Sequence, residues 1–268
     1  MSDSSDPAQR AAVALEAARA GAAVAKVSYR RELTVETKAG KTDLVTQADR
    51  DAQAAVVEVL RESYPEEPIV GEEDESPTEV PYSGPAWIVD PIDGTANFVR
   101  GVPIFATAVA AVIDGEPVGS GIVLPITGDT YRAGPDCAYL NDESISVSDR
   151  TDPEVCAVCP TLWWGPERRE EYARATGAIV SLFGDLRRYG CAQAELAMVA
   201  SGALDATLSN VDAHPWDTVA GAHLVREAGG TVTDLDGTRW RHDSTGLVAS
   251  NGKIHEEALA AACEIGDR

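Results

Sequence analysis

Two aspartates, Asp90 and Asp93, close the segment Trp87-Ile-Val-Asp90-Pro-Ile-Asp93-Gly-Thr95. The apolar run from Ala86 to Val89 reads as a buried strand, and Pro91 and Gly94 end its regularity. The spacing therefore predicts both carboxylates on a short loop that leads to Thr95 and a helical turn. Each charge leaving a core strand costs several kcal/mol unless something pairs it. A divalent cation satisfies two such groups at once, and hard oxygen ligands without a histidine cluster favour Mg²⁺ over zinc. The helix start beyond them offers backbone N–H groups to a phosphate.

Other acids stand at the ends of predicted elements: Asp43 and Asp49, Glu72 and Glu73, and Asp217. Each also has a plain structural reading. Asp49 serves equally as a helix-start residue, Glu72-Glu73-Asp74 as solvated surface, and Asp217 as a first-turn helix carboxylate. Asp90 and Asp93 differ from these because the strand that delivers them is apolar.

The elements that must position these groups follow from pattern. Ala8 to Val27, with Pro7 at its start, is an Ala-rich helix that packs rather than lies exposed. Leu33 to Lys38 is strand-like. Thr46 is an N-cap with Asp49 at N3, a capping box, and the helix runs to about Ser63 with Ala52, Ala55, Val56, Val59 and Leu60 on one face. Pro68-Ile-Val-Gly71 is a short strand that gives out onto Glu72. Glu75 to Pro85 is a loop, and Phe105 to Ile113 with Val118 to Leu124 form an antiparallel hairpin. Thr130 to Ala133 adds a strand, and a boundary falls at Asp149-Arg-Thr-Asp-Pro153. Beyond it come Val155 to Val158 as a strand and Pro166 to Thr176 as a charged helix. Ala178 to Leu182 reads as a strand or as the close of that helix. Cys191 to Ala200 is a helix, Leu204 to Leu208 a strand, and Pro215 opens a helix that runs through Ala228 and is closed by Gly229-Gly230. Strands at Thr231 to Thr233 and Gly246 to Ala249 and a helix at Ile254 to Cys263 complete the chain.

With 268 residues, 44 acidic against 22 basic side chains, a net charge of −22 and only four lysines, the chain has an acidic surface that opposes nucleic acid and anionic lipid. Such self-repulsion weakens in concentrated salt, and the composition resembles that of proteins from salt-accumulating microbes, haloarchaea among them. No apolar window reaches membrane length, and the polar, acidic Met1–Asp6 does not resemble a signal peptide, which predicts a cytoplasmic protein. The five cysteines form no framework. Cys156 and Cys159 lack the partners for a zinc site and the helix for a redox pair, so they read as separate thiols on a strand or its flank. Gly115, Gly119 and Gly121 fall inside the hairpin, the wrong context for a dinucleotide fingerprint.

Gly71-Glu-Glu73, Asp90-Pro-Ile-Asp-Gly-Thr95 and Trp216-Asp217, preceded by Lys41-Thr-Asp43-Leu-Val-Thr46-Gln-Ala-Asp49, resemble the ordered signatures of the inositol monophosphatase family. These are the lithium-sensitive, Mg²⁺-dependent phosphatases, which include archaeal-type dual inositol monophosphatase/fructose-1,6-bisphosphatases. The likeness runs from about Ala8 to Ala260. It implies an α/β fold, a layered α/β/α/β/α sandwich with a largely antiparallel first sheet and a mixed second one. It divides the chain into an N-terminal half, 8–148, and a C-terminal half, 153–263, with one active site between them. Glu72, Asp90 and the Ile92 carbonyl resemble the ligands of a first Mg²⁺. Asp90, Asp93 and Asp217 resemble those of a second, and a third, weaker ion sits near Glu72; Mn²⁺ is a substitute. Asp49 resembles the residue that bonds Thr95 and with it, beside Glu72, activates the attacking water. The Gly94 and Thr95 N–H groups take the phosphate. A homodimer is implied as well.

The substrate implied is a small phosphorylated polyol or sugar. Gly190-Cys191-Ala192 resembles the family segment whose backbone meets the substrate ring. Animal family members place a Glu before the Trp-Asp pair to bind inositol hydroxyls. Here Ser209-Asn210 stands in that place, and neither side chain reproduces a carboxylate. Arg187 and Arg188 could reach a second phosphate, as a fructose 1,6-bisphosphatase requires, or be plain surface charges. A third branch of the family acts on nucleotide 3′-phosphates. The reading from another class is a catalytically silent metal- or phosphate-binding protein, marked by loss of Asp49 or Thr95, and both are present.

Overall fold

The structure is a computed structural model, described for residues 6–31, 35–37, 44–73, 76–135 and 137–266. Asp43, Asp74 and the start of the Lys41 motif lie outside the described residues.

Helix α1 (Pro7–Ser28) begins where the Asp6 carboxylate accepts from the Ala8 N–H at 3.0 Å. Its exposed side carries Ala12, Ala23 and Val27 beside Glu16 and Arg19, which explains apolar residues on every face of a helix that nevertheless packs. The short strands β1 (Val35–Thr37) and β2 (Leu44–Thr46) pair antiparallel, and Thr46 then caps α2 (Gln47–Ser63). The first main sheet keeps chain order: β3 (Ile69–Gly71), β4 (Pro85–Asp93), β5 (Ala106–Ile113), β6 (Glu116–Leu124), β7 (Asp129–Gly134), β8 (Cys137–Leu140) and β9 (Glu143–Ser144). All its pairings are antiparallel except β3 with β4. The short helix α3 (Thr95–Arg100) leaves the end of β4.

The second sheet is mixed, ordered β11-β10-β12-β14-β13, from β10 (Ala157–Pro160), β11 (Asp185–Leu186), β12 (Ala206–Ser209), β13 (Thr231–Thr233) and β14 (Leu247–Ser250). Its parallel pairs are β10 with β11 and with β12. Helices α4 (Arg169–Leu182), α5 (Ala192–Ala200), α6 (Pro215–Glu227) and α7 (His255–Cys263) accompany it. Ala178 to Leu182 is therefore the close of a helix.

Three apolar clusters separate five layers. Trp87 and Val89 of β4 pack with Leu15 of α1 and Val56 and Leu60 of α2. Ile88, pointing the other way, joins Leu196 of α5 and Val219 and Leu224 of α6 between the sheets. Ile179 of α4 and Ala258 of α7 cover the far face of the second sheet with Val158, Leu208 and Val248. The order α1/α2, sheet, α5/α6, sheet, α4/α7 is the layered sandwich. A strand covered on both faces loses polar alternation, which is why Ala86 to Val89 is uniformly apolar.

Strands β8, β9 and β11 have no counterpart in the sequence reading, and the strand expected at Val155 to Val158 runs over Ala157–Pro160. Two further local features bear on the site and its packing. Strand β4 does not stop at Val89 but runs through Asp93, so Asp90 and Asp93 are strand residues rather than loop residues. Asp90 pairs with Ala108 and Asp93 with Ala106, so one extra residue bulges out between them. Pro91, which has no N–H for the ladder, fits that bulge, and the Thr107 hydroxyl pins it by donating to the Pro91 carbonyl at 2.7 Å. The second feature is Gly119 and Gly121 on β6. A Cβ at Gly121 would lie 2.4 Å from Leu15 Cα, and one at Gly119 2.7 Å from the Ala11 nitrogen. These glycines let α1 lie directly on the sheet.

Cys156 flanks β10 and Cys159 lies within it, both buried, and all five thiols are free. Burial pushes the Cys156 thiol up to about 11 and raises Cys159 further, so neither is a reactive thiolate. No helix among the described residues is long and apolar enough to cross a membrane.

Candidate active site

A cavity of about 640 Å³ opens where the end of β4 meets α5 and α6. Glu72, Asp93, Gly94, Thr95 and Asp217 line it, with Gly190, Cys191, Ala192 and Arg188 on the opposite wall. Asp90 lies just behind, 1% exposed.

Each acid is held by a neighbouring element. In the α2 capping box the Asp49 Oδ2 accepts from the Thr46 N–H at 2.8 Å and the Thr46 hydroxyl at 2.6 Å. Thr95 Oγ1 stands 3.3 Å from Asp49 Oδ1 and 2.9 Å from the Ile92 carbonyl, so its one proton has two acceptors to choose between. The Ile92 side chain is fully buried with Phe98 and Phe105, which anchors the bulge that presents its carbonyl. Glu72 follows β3, and the next residue is clamped to α2. The Gln53 amide donates to the Glu73 carbonyl at 2.6 Å while its oxygen accepts from the Glu73 N–H at 3.0 Å. Asp93 Oδ2 accepts from the Gln193 N–H at the start of α5 at 2.6 Å and from Cys191 Sγ at 3.1 Å. Asp217 Oδ2 accepts from the His214 N–H at 3.1 Å in the first turn of α6.

Gly94 has φ of +86°, and a Cβ there would meet the Gly190 carbonyl at 3.1 Å, so only glycine lets the two walls approach so closely. Asn97 holds the facing loop by donating to the Tyr189 carbonyl at 2.7 Å and to the Ile104 carbonyl at 2.8 Å.

The electrostatics of the acids are strongly unfavourable on their own. Burial first, then Glu72, Asp93, Asp217 and Asp49 in that order, drive the Asp90 carboxyl well above the usual range. Asp93 is pushed up to about 6, mainly by burial and against its bonds from Cys191 and Gln193. Asp90 Oδ1 is buried without a hydrogen-bond partner among the described residues. Among those residues no three His, Cys, Asp or Glu side chains are already drawn into a cation cage. The donor set is nonetheless all oxygen, with an unsatisfied carboxylate oxygen at its centre, and that set fits Mg²⁺.

The arginines separate. Arg187 is paired with Asp185 and is not on the cavity wall. Arg188 is on the wall, but its Nη1 bonds Glu195 at 3.0 Å and its Nη2 the Leu162 carbonyl at 2.6 Å. Ser209 is buried in β12, and Asn210 bonds Trp164 and Glu171 away from the cavity. Pattern reading passed over Arg100, an exposed cation on the cavity wall, the half-buried Asn97 and the buried Gln53 and Glu195. Glu195 gathers the Tyr189 and Gly190 N–H groups at 2.9 and 2.8 Å on one oxygen and the Thr161 hydroxyl at 2.6 Å on the other. No spacing rule marks a polar residue whose partners are brought to it by a loop or by tertiary approach.

Residues 6–267 match the inositol monophosphatase family. The chain belongs to that family. It is 34% identical over 246 residues to the fructose-1,6-bisphosphatase/inositol-1-monophosphatase of Thermotoga maritima, covering 89% of this chain and 90% of that one. It is 31% identical over 254 residues to the Nus factor SuhB of Escherichia coli K12, covering 92% and 93%. The solved structure of a Thermotoga maritima IMPase superposes with a TM-score of 0.85 at 31% identity, over 93% of this chain and 95% of that one. Family membership carries the α/β sandwich described above.

Proposed function

We propose that this inositol monophosphatase family member is a Mg²⁺-dependent phosphomonoesterase acting on inositol 1-phosphate or a related sugar phosphate. The observation that carries the reading is buried Asp90, whose Oδ1 has no hydrogen-bond partner among the described residues and whose carboxyl feels the charges of Glu72, Asp93 and Asp217, beside the Asp49–Thr95 contact. In this reading the C-terminal half, 153–263, completes the site of the N-terminal half, 8–148, by contributing Asp217.

Glu72, Asp90 and the Ile92 carbonyl would hold one ion, and Asp90, Asp93 and Asp217 a second. A third, weaker ion would sit near Glu72, and Mn²⁺ would substitute. When bound, the ions supply the Lewis acidity that makes water nucleophilic at neutral pH and offsets charge on the phosphoryl oxygens. Asp93 serves two partners: Oδ2 ties it to α5, which leaves Oδ1 for a cation. Thr95 takes a proton from the attacking water as its own moves to Asp49 Oδ1, which lies 3.3 Å away while Thr46 fixes Oδ2. The N–H groups of Gly94 and Thr95, on the cavity wall, receive the phosphate. Gly190, Cys191 and Ala192 meet the leaving polyol from the opposite wall.

Arg100, an exposed cation on the wall, favours a second reading, a fructose 1,6-bisphosphatase or dual activity, since a second phosphate would need such a cation, whereas Arg188 is engaged by Glu195 and the Leu162 carbonyl. The net charge of −22 supports a small-molecule partner over nucleic acid. The same reading carries a cytoplasmic homodimer adapted to high salt. The test is phosphate release from a panel of inositol, sugar and nucleotide phosphates, with and without Mg²⁺, at low and multimolar KCl. Mg²⁺-dependent release from inositol 1-phosphate or fructose 1,6-bisphosphate is expected, and none from any member of the panel would overturn the reading.

A further inference from the structure

Trp163 is 60% exposed on the cavity wall, although its neighbour Trp164 is 5% exposed. An indole left in water at the wall of the cavity costs hydrophobic free energy that its own fold does not recover. The segment around it is held too firmly for this to be incidental. Trp164 donates from Nε1 to Asn210 at 2.7 Å and stacks on Tyr172 with centroids 5.1 Å apart. On the other side, Thr161 bonds the fully buried Glu195, and Arg188 bridges the same carboxylate to the Leu162 carbonyl. Between these anchors Leu162 adopts φ of +64°, a strained left-handed conformation for a branched side chain. The strain sits next to the exposed indole, and Glu195 also fixes the Tyr189–Gly190 loop of the same cavity.

Resting on the phosphatase reading above, we infer that Trp163 is a binding platform for the leaving group, stacking on the apolar C–H face of a cyclic polyol or sugar whose phosphate lies at Thr95. The chemistry is that of a saturated ring with hydroxyls at its rim and carbon–hydrogen bonds on its face. A flat, rigid indole covers such a face at little cost in side-chain entropy. The network of Glu195, Arg188 and Thr161 positions the platform without touching the ligand. Trp163 is thereby a specificity residue, and an acyclic phosphate gains nothing from it.

The test compares kcat/KM for inositol 1-phosphate with that for glycerol 2-phosphate in wild type, Trp163→Ala and Trp163→Phe. The ratio is expected to fall about three- to tenfold in Trp163→Ala, chiefly through KM for the cyclic substrate, and to recover largely in Trp163→Phe. An unchanged ratio in Trp163→Ala, or no recovery in Trp163→Phe, overturns the platform while leaving the phosphatase reading intact. Wild-type enzyme inactive with Mg²⁺ on both substrates overturns the platform, and inactivity on the whole phosphate panel overturns the phosphatase reading as well.

Discussion

Thr95 is the residue on which the proposed chemistry turns, because its hydroxyl stands between the capping carboxylate of α2 and the carbonyl of the β4 bulge. Thr95→Ala removes the proposed relay but leaves the backbone N–H proposed to receive phosphate. We expect kcat to fall about a hundredfold or more with KM little changed, the signature of a group acting in the transition state. Steady-state kinetics on inositol 1-phosphate check this, and an intact kcat with a raised KM would make Thr95 a binding residue only. At this scale the sequence was legible wherever a side chain obeys a local rule. Thr46 with Asp49 is a capping box because i and i+3 meet at a helix start, and the pattern is local. Gln53 and Asn97 were not legible, since they bond backbone groups 20 and 92 residues away, and Glu195 was not, since its carboxylate joins the N–H groups five and six residues back to Thr161, 34 residues away. Arg187 and Arg188 looked equivalent as neighbours, yet only Arg188 turns toward the cavity, and it is already paired.

Strands β8, β9 and β11, of two to four residues, are too short to carry a period, but most strands of the two main sheets and their helices were legible from apolar periodicity and from Pro and Gly punctuation. The end of β4 was not, because Pro91 reads as a terminator and a bulge has no simple sequence mark. The roles of Gly119 and Gly121 were also hidden: a glycine in a hairpin strand does not announce which helix will lie on it. The element-scale expectation follows from that contact. Gly121→Ala would drive a methyl group into the α1 backbone at Leu15, and with no flexible side chain to yield there, α1 must shift. Overpacking of this kind costs roughly 1–3 kcal/mol, occasionally more. Denaturant unfolding should show that loss, whereas Gly177→Ala, where a Cβ meets nothing within 4 Å and φ is ordinary, serves as the control for an added methyl group without a clash. Equal stability of Gly121→Ala and wild type would contradict the close packing.

At the scale of the whole molecule, −22 charges on 268 residues set how the folded state responds to salt. Screening relieves self-repulsion first, so the thermal midpoint should rise as KCl increases from about 0.1 M, where the Debye length is about 10 Å. Thermal melts across a KCl series measure this, and a flat or falling midpoint would contradict it. Legibility at this scale was uneven: net charge is a sum over residues, whereas the meeting of Asp217 with Asp90 and Glu72 depends on how α6 is seated between two sheets. That meeting is the centre of the account, and Asp90 is the one acid proposed to serve both principal ions. The most direct measurement is calorimetric titration of Mg²⁺ into wild type and Asp90→Asn, with phosphate release from inositol 1-phosphate followed in parallel. The account expects Asp90→Asn to keep its fold, bind Mg²⁺ with lower affinity and fewer sites, and lose turnover. Unchanged stoichiometry and affinity in Asp90→Asn would contradict it.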